Sequence, residues 1–155
     1  MSNFEKNLEQ ALNNAKRLTD KILIDGKLIS AQTNNKIPVL NPSTGDNIGS
    51  APQCDKNDVN IAVESAYKAF QKWKKIPARE RGKMVAAGAK RLEERKSEIE
   101  TLLSLDTGNA LRTQAIPETA ASIELTNMFA GLSGELKGEN YPTNIPNSIH
   151  YTTRD

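Results

Sequence analysis

Apolar residues recur every three or four positions over residues 4–19, which is the period of an amphipathic α-helix. The residues on this face are Phe4, Leu8, Ala11, Leu12, Ala15 and Leu18. The polar face contains both signs of charge. The pattern therefore favours a helix packed on a core over one lying on a membrane surface, which needs a basic polar face.

Two pairs of short strands are predicted after this helix. In the segment ILIDGKLIS, two apolar runs flank Asp25 and Gly26. This pair predicts a β-hairpin, because both central residues of the turn need a positive φ. Residues 36–40 and 47–51 then surround the turn sequence LNPSTGD, whose proline and glycine suit a tight connection. Together these strands predict a small antiparallel β unit.

Three long helices are predicted in the middle of the chain. Asp55 and Asp58 resemble an N-terminal capping pair for the first, which runs to Ile76. The second begins at Pro77 and extends to Gly108, and the third begins at about Pro117. Their apolar faces contain, in turn, Val59, Ala62, Val63, Ala66, Phe70 and Trp73; Met84, Val85, Gly88, Leu92, Ile99, Leu102 and Leu103; and Ala121, Leu125, Met128, Phe129, Leu132 and Leu136.

The composition changes from Gly138 onwards. A segment rich in proline and other turn-forming residues leads into IHYTTRD, in which Ile149, Tyr151 and Thr153 alternate with polar residues as in a strand. A strand must satisfy its backbone N–H and C=O groups. We therefore expect this end to pair with another chain or to continue into further sequence.

The composition is that of an ordinary soluble domain. The 155 residues are 37% hydrophobic and 26% charged, and the net charge is +2. The basic residues are scattered, which disfavours nucleic acid as a partner. No segment has the length and apolarity of a membrane helix or the apolar core of a secretory signal. The single cysteine suits a reducing, cytoplasmic location.

Two residues offer reactive groups, and for each the unreactive interpretation is favoured. Cys54 precedes a predicted helix, which could lower the pKa of a thiol, but a lone loop cysteine is more often inert. His150 has a side chain suited to acid–base chemistry, yet it lies on the predicted terminal strand with Asp155 as the only nearby carboxylate. Their separation in sequence does not indicate a catalytic pair.

The chain contains neither GxxxxGK[ST] nor GxGxxG. The nearest approach is AGLSGELKG, residues 130–138, whose glycines lie three and four apart. On a helix this spacing favours close packing over phosphate binding. The residues alone therefore assemble no complete active site.

A series of motifs nevertheless resembles one family. In order, these motifs are LIDGK (23–27), VLNPSTGDNIGSAP (39–52), AFQKWKKIPARERGKMV (69–85), SLDTG (104–108), MFAGLSGELKGE (128–139) and HYTTRD (150–155). Beyond about the first twenty residues, the chain resembles the N-terminal third of an NAD(P)-dependent aldehyde dehydrogenase. The order of the motifs is more specific than any one of them.

The resemblance implies an α/β parent fold with a Rossmann-type cofactor domain, of which this segment is an α+β part. Residues 1–139 would belong to the cofactor-binding domain and residues 140–155 would begin the oligomerisation arm. In such enzymes a cysteine thiolate attacks the aldehyde, hydride passes to NAD or NADP, and a glutamate-activated water hydrolyses the thioester. The catalytic cysteine, glutamate and asparagine and the cofactor loop all lie beyond the position that matches Asp155. We therefore expect no catalytic residue and no cofactor-binding residue here, and no tight cofactor binding.

Two candidate sites follow from the resemblance. The Leu40 carbonyl and the Asp106 carboxylate resemble a structural monovalent-cation site, and oxygen ligands suit a hard cation. The alternative is that Asp106 is a helix-terminal residue without a ligand. Pro117 and Ala121 match positions at the substrate-tunnel entrance, where their small size implies a roomy opening.

Two hypotheses for function remain. The first is an N-terminal segment of an aldehyde dehydrogenase, inactive alone, whose partners are the remainder of the enzyme and other subunits. The second is a free-standing, non-catalytic binding module that pairs with itself or with a full-length subunit through its helices and terminal strand. In both, we expect apolar helix faces that this chain leaves uncovered.

Overall fold

The structure, a computed structural model, describes residues 3–154, excluding the side chain of Phe4. Two predictions therefore lie outside the described residues. They are the core position of the Phe4 side chain and the placement of Asp155 near His150. The elements are α1 (Asn3–Leu18), β1 (Lys21–Ile24), β2 (Lys27–Ser30), β3 (Lys36–Leu40), β4 (Asn47–Pro52), α2 (Lys56–Trp73), α3 (Ala78–Glu94), α4 (Lys96–Thr107), α5 (Ile116–Gly131), β5 (Asn140–Tyr141) and β6 (His150–Tyr151). A π-helical turn, Leu111–Ala115, precedes α5, and a 3₁₀ turn, Leu132–Gly134, follows it. The predicted α+β composition is confirmed.

The predicted hairpins form, as separate two-stranded sheets. β1 pairs antiparallel with β2 around Asp25 and Gly26, whose φ values of 52° and 71° are those of a type I′ turn. β3 pairs antiparallel with β4, with an irregularity between Val39 and Leu40 that alters the register just before the turn. The predicted antiparallel β unit therefore consists of two separate hairpins that follow each other along the chain.

The predicted capping pair begins α2. The Asp55 carboxylate accepts hydrogen bonds from the N–H groups of Asn57 and Asp58 at 2.8 and 2.9 Å. In return, Asp58 Oδ2 accepts from the Asp55 N–H at 3.1 Å. Asp58 is only 3% exposed, and its second oxygen accepts from the N–H of Gln32 at 3.0 Å. One buried carboxylate thus caps the helix and fastens the loop after β2 to it.

The prediction of one helix from Pro77 to Gly108 is wrong, because the chain breaks at Arg95, whose φ and ψ are −112° and 15°. The Arg95 guanidinium donates two hydrogen bonds, of 3.0 and 2.6 Å, to Glu98 in the first turn of α4. This contact lowers the pKa of Glu98, with smaller contributions from Asn14 and Arg17 of α1. A straight helix over residues 77–108 would be about 48 Å long, and the break lets α4 pack on α1.

The helical core uses small residues where the sequence predicted large ones. α3 packs against α5, with Gly82 beside Ala130. Gly82 and Ala89 are buried on α3, and Thr119, Ile123 and Ala130 are buried on α5. The predicted inward position of Met84 is wrong, since its side chain is 55% exposed. Small residues at the crossing allow the two backbones to approach closely.

The larger apolar side chains of three helices face outward. On α2, α3 and α5 the exposed apolar side chains include Val59, Val63, Phe70, Met84, Leu125, Met128 and Phe129. The expectation of uncovered apolar helix faces is confirmed. A surface of this kind is typical of a protein that meets another surface.

The expectation that the terminal strand lacks a partner within the chain is wrong. β6 pairs antiparallel with β5, with Asn140 opposite Tyr151 and Tyr141 opposite His150. The Thr152 N–H also donates to the Glu139 carbonyl at 2.9 Å. The turn-rich segment between β5 and β6 lets the chain return on itself, which the periodicity alone did not indicate.

Candidate functional site

The two residues of the predicted cation site lie at one junction, where the turn after β3 meets the end of α4. Asn41 organises this turn, because its carbonyl accepts from the Gly45 N–H at 2.8 Å and its N–H donates to the Asp46 carbonyl at 2.9 Å. α4 ends at Gly108, whose φ of 76° is left-handed. A Cβ on Gly108 would lie 2.7 Å from Cγ of Pro42. The turn is therefore seated directly on the helix end.

Leu40 and Asp106 lie on the two elements that meet at this junction. Leu40 directly precedes the turn, and Asp106 lies two residues before Gly108. Val39 and Asp106 line one groove. Among residues 3–154, no cluster of three or more histidine, cysteine or acidic side chains could hold a metal ion. Any cation at the junction would therefore rely on carbonyl oxygens as well as on the single carboxylate.

Asp20 anchors the β3–β4 hairpin to the end of α1. Its φ is 58°, and its N–H donates to the Ser50 carbonyl at 3.0 Å. The Ser50 hydroxyl donates to Asp20 Oδ1 at 2.6 Å, and Lys36 forms an ion pair with Oδ2. The bond from Lys36, followed by that from Ser50, lowers the pKa of Asp20. Asp20 is not part of any motif or apolar periodicity in the sequence; its one local signal is an aspartate between a helix and a strand, where a positive φ is tolerated.

We expect Asp20→Asn to make unfolding depend less on pH. Because the pKa of Asp20 is lowered on folding, its carboxylate contributes stability above the unfolded value near 3.8, and that stability is lost as the pH falls through the folded value. The wild type should therefore exceed the variant in stability at pH 7 but not at pH 2, as measured by urea unfolding. Asp46→Asn, which removes one carboxylate from the same hairpin at a side chain without a partner among residues 3–154, controls for the loss of a charge. An equal difference at both pH values would contradict this assignment.

Pro117 and Ala121 lie one helical turn apart on the first half of α5 and are both exposed. The π-helical turn before them ends where the Ile116 N–H donates to the Leu111 carbonyl. The buried positions in this half of the helix, Thr119 and Ile123, lie on another face. Both residues therefore belong to a solvent-facing side of α5.

The two candidate reactive side chains are not brought together by any element. Cys54 is exposed in the loop directly before the α2 cap. His150 is exposed on β6, where its register partner is Tyr141. The region of AGLSGELKG forms the end of α5 and the following turn, where Ser133 packs against Gly82. This helical packing leaves no phosphate loop in the part of the chain that the structure describes.

The sequence of this chain is similar to those of one family of known proteins. A profile of the aldehyde dehydrogenase family covers residues 28–155. The chain is 37% identical over 136 residues to aldehyde dehydrogenase tropH of Talaromyces stipitatus, a match that covers 86% of this chain and 26% of the relative. It is 33% identical over 132 residues to phenylacetaldehyde dehydrogenase of Pseudomonas fluorescens, covering 84% and 26%.

A solved structure gives the same result. Betaine aldehyde dehydrogenase of Staphylococcus aureus in complex with NAD⁺ superposes with a TM-score of 0.83 at 27% identity, covering 92% of this chain and 29% of that one. The fold is thus that of an aldehyde dehydrogenase segment, as the resemblance implied. The chain belongs to the aldehyde dehydrogenase family, and it spans about a quarter of the length of the curated relatives that it matches.

No helix within residues 3–154 combines the length and apolarity needed to cross a membrane.

Proposed function

We propose that this chain is the N-terminal segment of an NAD(P)-dependent aldehyde dehydrogenase, which in full length oxidises an aldehyde to a carboxylic acid in the cytoplasm. The main support is the family match over residues 28–155 by a chain that spans a quarter of its relatives. The exposed apolar faces of α2, α3 and α5 agree with it, because they offer surfaces for the remainder of the enzyme.

Within this proposal, residues 1–139 belong to the cofactor-binding domain and residues 140–155 begin the oligomerisation arm. The partners are the rest of the enzyme and further subunits of a homo-oligomer. NAD or NADP would supply hydride acceptance when bound. The sequence contains neither phosphate-binding glycine motif, and the proposal therefore places no cofactor-binding residue in this chain. No chemical step is therefore assigned to this chain.

The two candidate sites have supporting roles in the proposal. The Leu40 carbonyl and the Asp106 carboxylate would contribute to a monovalent-cation site that fixes the junction between the hairpin and α4. Pro117 and Ala121 would line the entrance of the substrate tunnel, which their small side chains would keep wide. A strong preference of the intact enzyme for the shortest aldehydes would contradict that entrance role.

We expect the isolated chain to form no NADH or NADPH from aldehydes, measured as absorbance at 340 nm. A chimera in which this chain replaces the matching segment of phenylacetaldehyde dehydrogenase should oxidise phenylacetaldehyde. The unaltered relative is the positive control. Activity of the isolated chain, or a folded chimera that binds NAD⁺ poorly and lacks activity, would contradict the proposal.

A second candidate function is a non-catalytic assembly module. The exposed apolar faces support it as well, because a free-standing module would use them to bind a copy of itself or a full-length subunit. Light scattering distinguishes the two candidates. A module should form a complex of defined mass, whereas a segment separated from its enzyme should associate heterogeneously.

A further inference from the structure

α2 turns its apolar stripe away from the rest of the chain. The stripe consists of Val59, Val63, Tyr67 and Phe70, whose side chains are 54, 62, 63 and 51% exposed. Their spacing of three or four residues places them on one face of the helix. The buried residue of α2, by contrast, is the carboxylate Asp58. The apolar face of this helix is therefore the face that the chain leaves open to solvent.

α5 also has an uncovered apolar stripe. Thr119 and Ile123 are buried on the side of α5 that faces the rest of the chain. Leu125 lies two positions after Ile123, which is about 200° around the helix and therefore on the outward side. Leu125, Met128 and Phe129 form the α5 stripe, and their side chains are 50, 48 and 63% exposed. Both helices thus present large apolar side chains that need a covering surface.

Lysines border the α2 stripe at both of its ends. Lys56 precedes the stripe by one helical turn, and Lys74 lies four positions after Phe70, so both share its face. Nζ of Lys74 lies 5.5 Å from the centre of the Phe70 ring. Glu64, the acidic residue in the middle of α2, is already paired with Lys68 at 2.7 Å. The α2 stripe therefore favours a partner surface that is apolar and acidic.

Acidic residues border the α5 stripe. Glu118 and Glu124 are the charged residues of this helix, which contains no basic residue. Glu124 lies four positions before Met128, and within residues 3–154 it forms no hydrogen bond or ion pair. Contact of α2 with α2 would place lysine near lysine, and contact of α5 with α5 would place glutamate near glutamate. Contact of α2 with α5 brings opposite charges together.

We propose that the separate chain associates head to tail, with the α2 stripe of one copy packed on the α5 stripe of a second copy. The inference rests on the assembly-module function proposed above and names its two contact surfaces. A pair of copies keeps one α2 stripe and one α5 stripe free, so association grows beyond a pair and ends where the copies close a ring. In the full-length enzyme, the remainder of the protein would take the place of the second copy at both stripes.

The test uses two variants that each block one stripe, Phe70→Glu on α2 and Phe129→Glu on α5. Sedimentation velocity in reducing buffer should show a wild-type mass that rises with concentration beyond that of two copies. Each blocking variant alone should associate at least about thirtyfold more weakly, as expected for loss of an aromatic anchor. An equimolar mixture of the two should form a complex of two copies and nothing larger, because one α2 stripe and one α5 stripe remain intact. Ile145→Glu, at an exposed apolar residue between β5 and β6, should behave as the wild type.

Charge reversal tests the same contact with a smaller change to the surface. Glu124→Lys should weaken association about fivefold, as for a solvent-accessible charge pair of about 1 kcal/mol. Adding Lys74→Glu to the same chain should restore it, because the two charges then meet with their signs exchanged. Circular dichroism of all variants establishes that they are folded.

Failure of the two blocking variants to form a complex when mixed would overturn the proposal. Weakening by one blocking variant and not by the other would also overturn it, since that is the result of α2–α2 or α5–α5 pairing. Association that neither variant alters would assign the contact to another surface, such as the β5–β6 hairpin, and would overturn the proposal as well. Any of these results leaves the aldehyde dehydrogenase proposal intact, because the activity of the chimera tests that proposal separately.

Discussion

Replacing Gly82 by alanine is expected to destabilise the chain by about 2 kcal/mol, as in overpacked helix crossings. A Cβ on Gly82 would lie 2.2 Å from Ser133 Oγ and 2.5 Å from the Ala130 carbonyl oxygen. The hydroxyl can rotate away, but the carbonyl belongs to the backbone of α5. The α3–α5 crossing must therefore open, and this cost outweighs the better helix propensity of alanine, worth about 1 kcal/mol.

Gly88 is a matched control in the same helix. A Cβ there would meet nothing within 4 Å. Gly88→Ala should therefore stabilise α3 by up to about 1 kcal/mol. Urea unfolding followed by circular dichroism at 222 nm would measure both variants. Equal stability of the two would contradict the close approach of α3 to α5.

Gly108→Ala is expected to have the second large effect, a loss of about 2–3 kcal/mol from left-handed strain combined with overpacking. Gly45 has the same φ of 76° but open space around its Cα, so Gly45→Ala measures the conformational cost alone. The excess cost at Gly108 should come from Pro42, whose ring occupies the position of the new methyl group. Adding Pro42→Ala to Gly108→Ala should recover that excess in a double-mutant cycle.

The measurement is again urea unfolding, now of the three single variants and the double variant. If Gly108→Ala and Gly45→Ala cost the same, the turn does not press on the end of α4. The proposed junction between Leu40 and Asp106 would then lose its structural basis. A coupling energy near zero between Pro42 and Gly108 would also show that the turn does not contact the end of α4.

Features encoded by neighbouring residues were predictable from the sequence. The Asp25-Gly26 turn and the Asp55–Asp58 cap each form because their conformation and hydrogen bonds involve residues at most three apart. The predicted start of a helix at about Pro117 is also confirmed, because Pro117 lies in the first turn of α5. The family followed from the order of several such local motifs.

Features set by distant contacts were not predictable in the same way. No glycine or proline marks the break at Arg95, which depends on packing of α4 against α1. The inward face of α3 is lined by small residues, whereas apolar periodicity predicts that large residues such as Met84 face inward.

The loose attachment of α2 has a consequence for the dynamics of the chain. This 18-residue helix is capped at its first turn by Asp55 and Asp58, it contacts β1, and Asp58 is its one buried residue. A helix with so little tertiary support depends on its own propensity and cap, which are marginal for stability in water. Its distal turns can therefore fray without disturbing the α3–α5 crossing, so local unfolding and global unfolding of this chain are separate events.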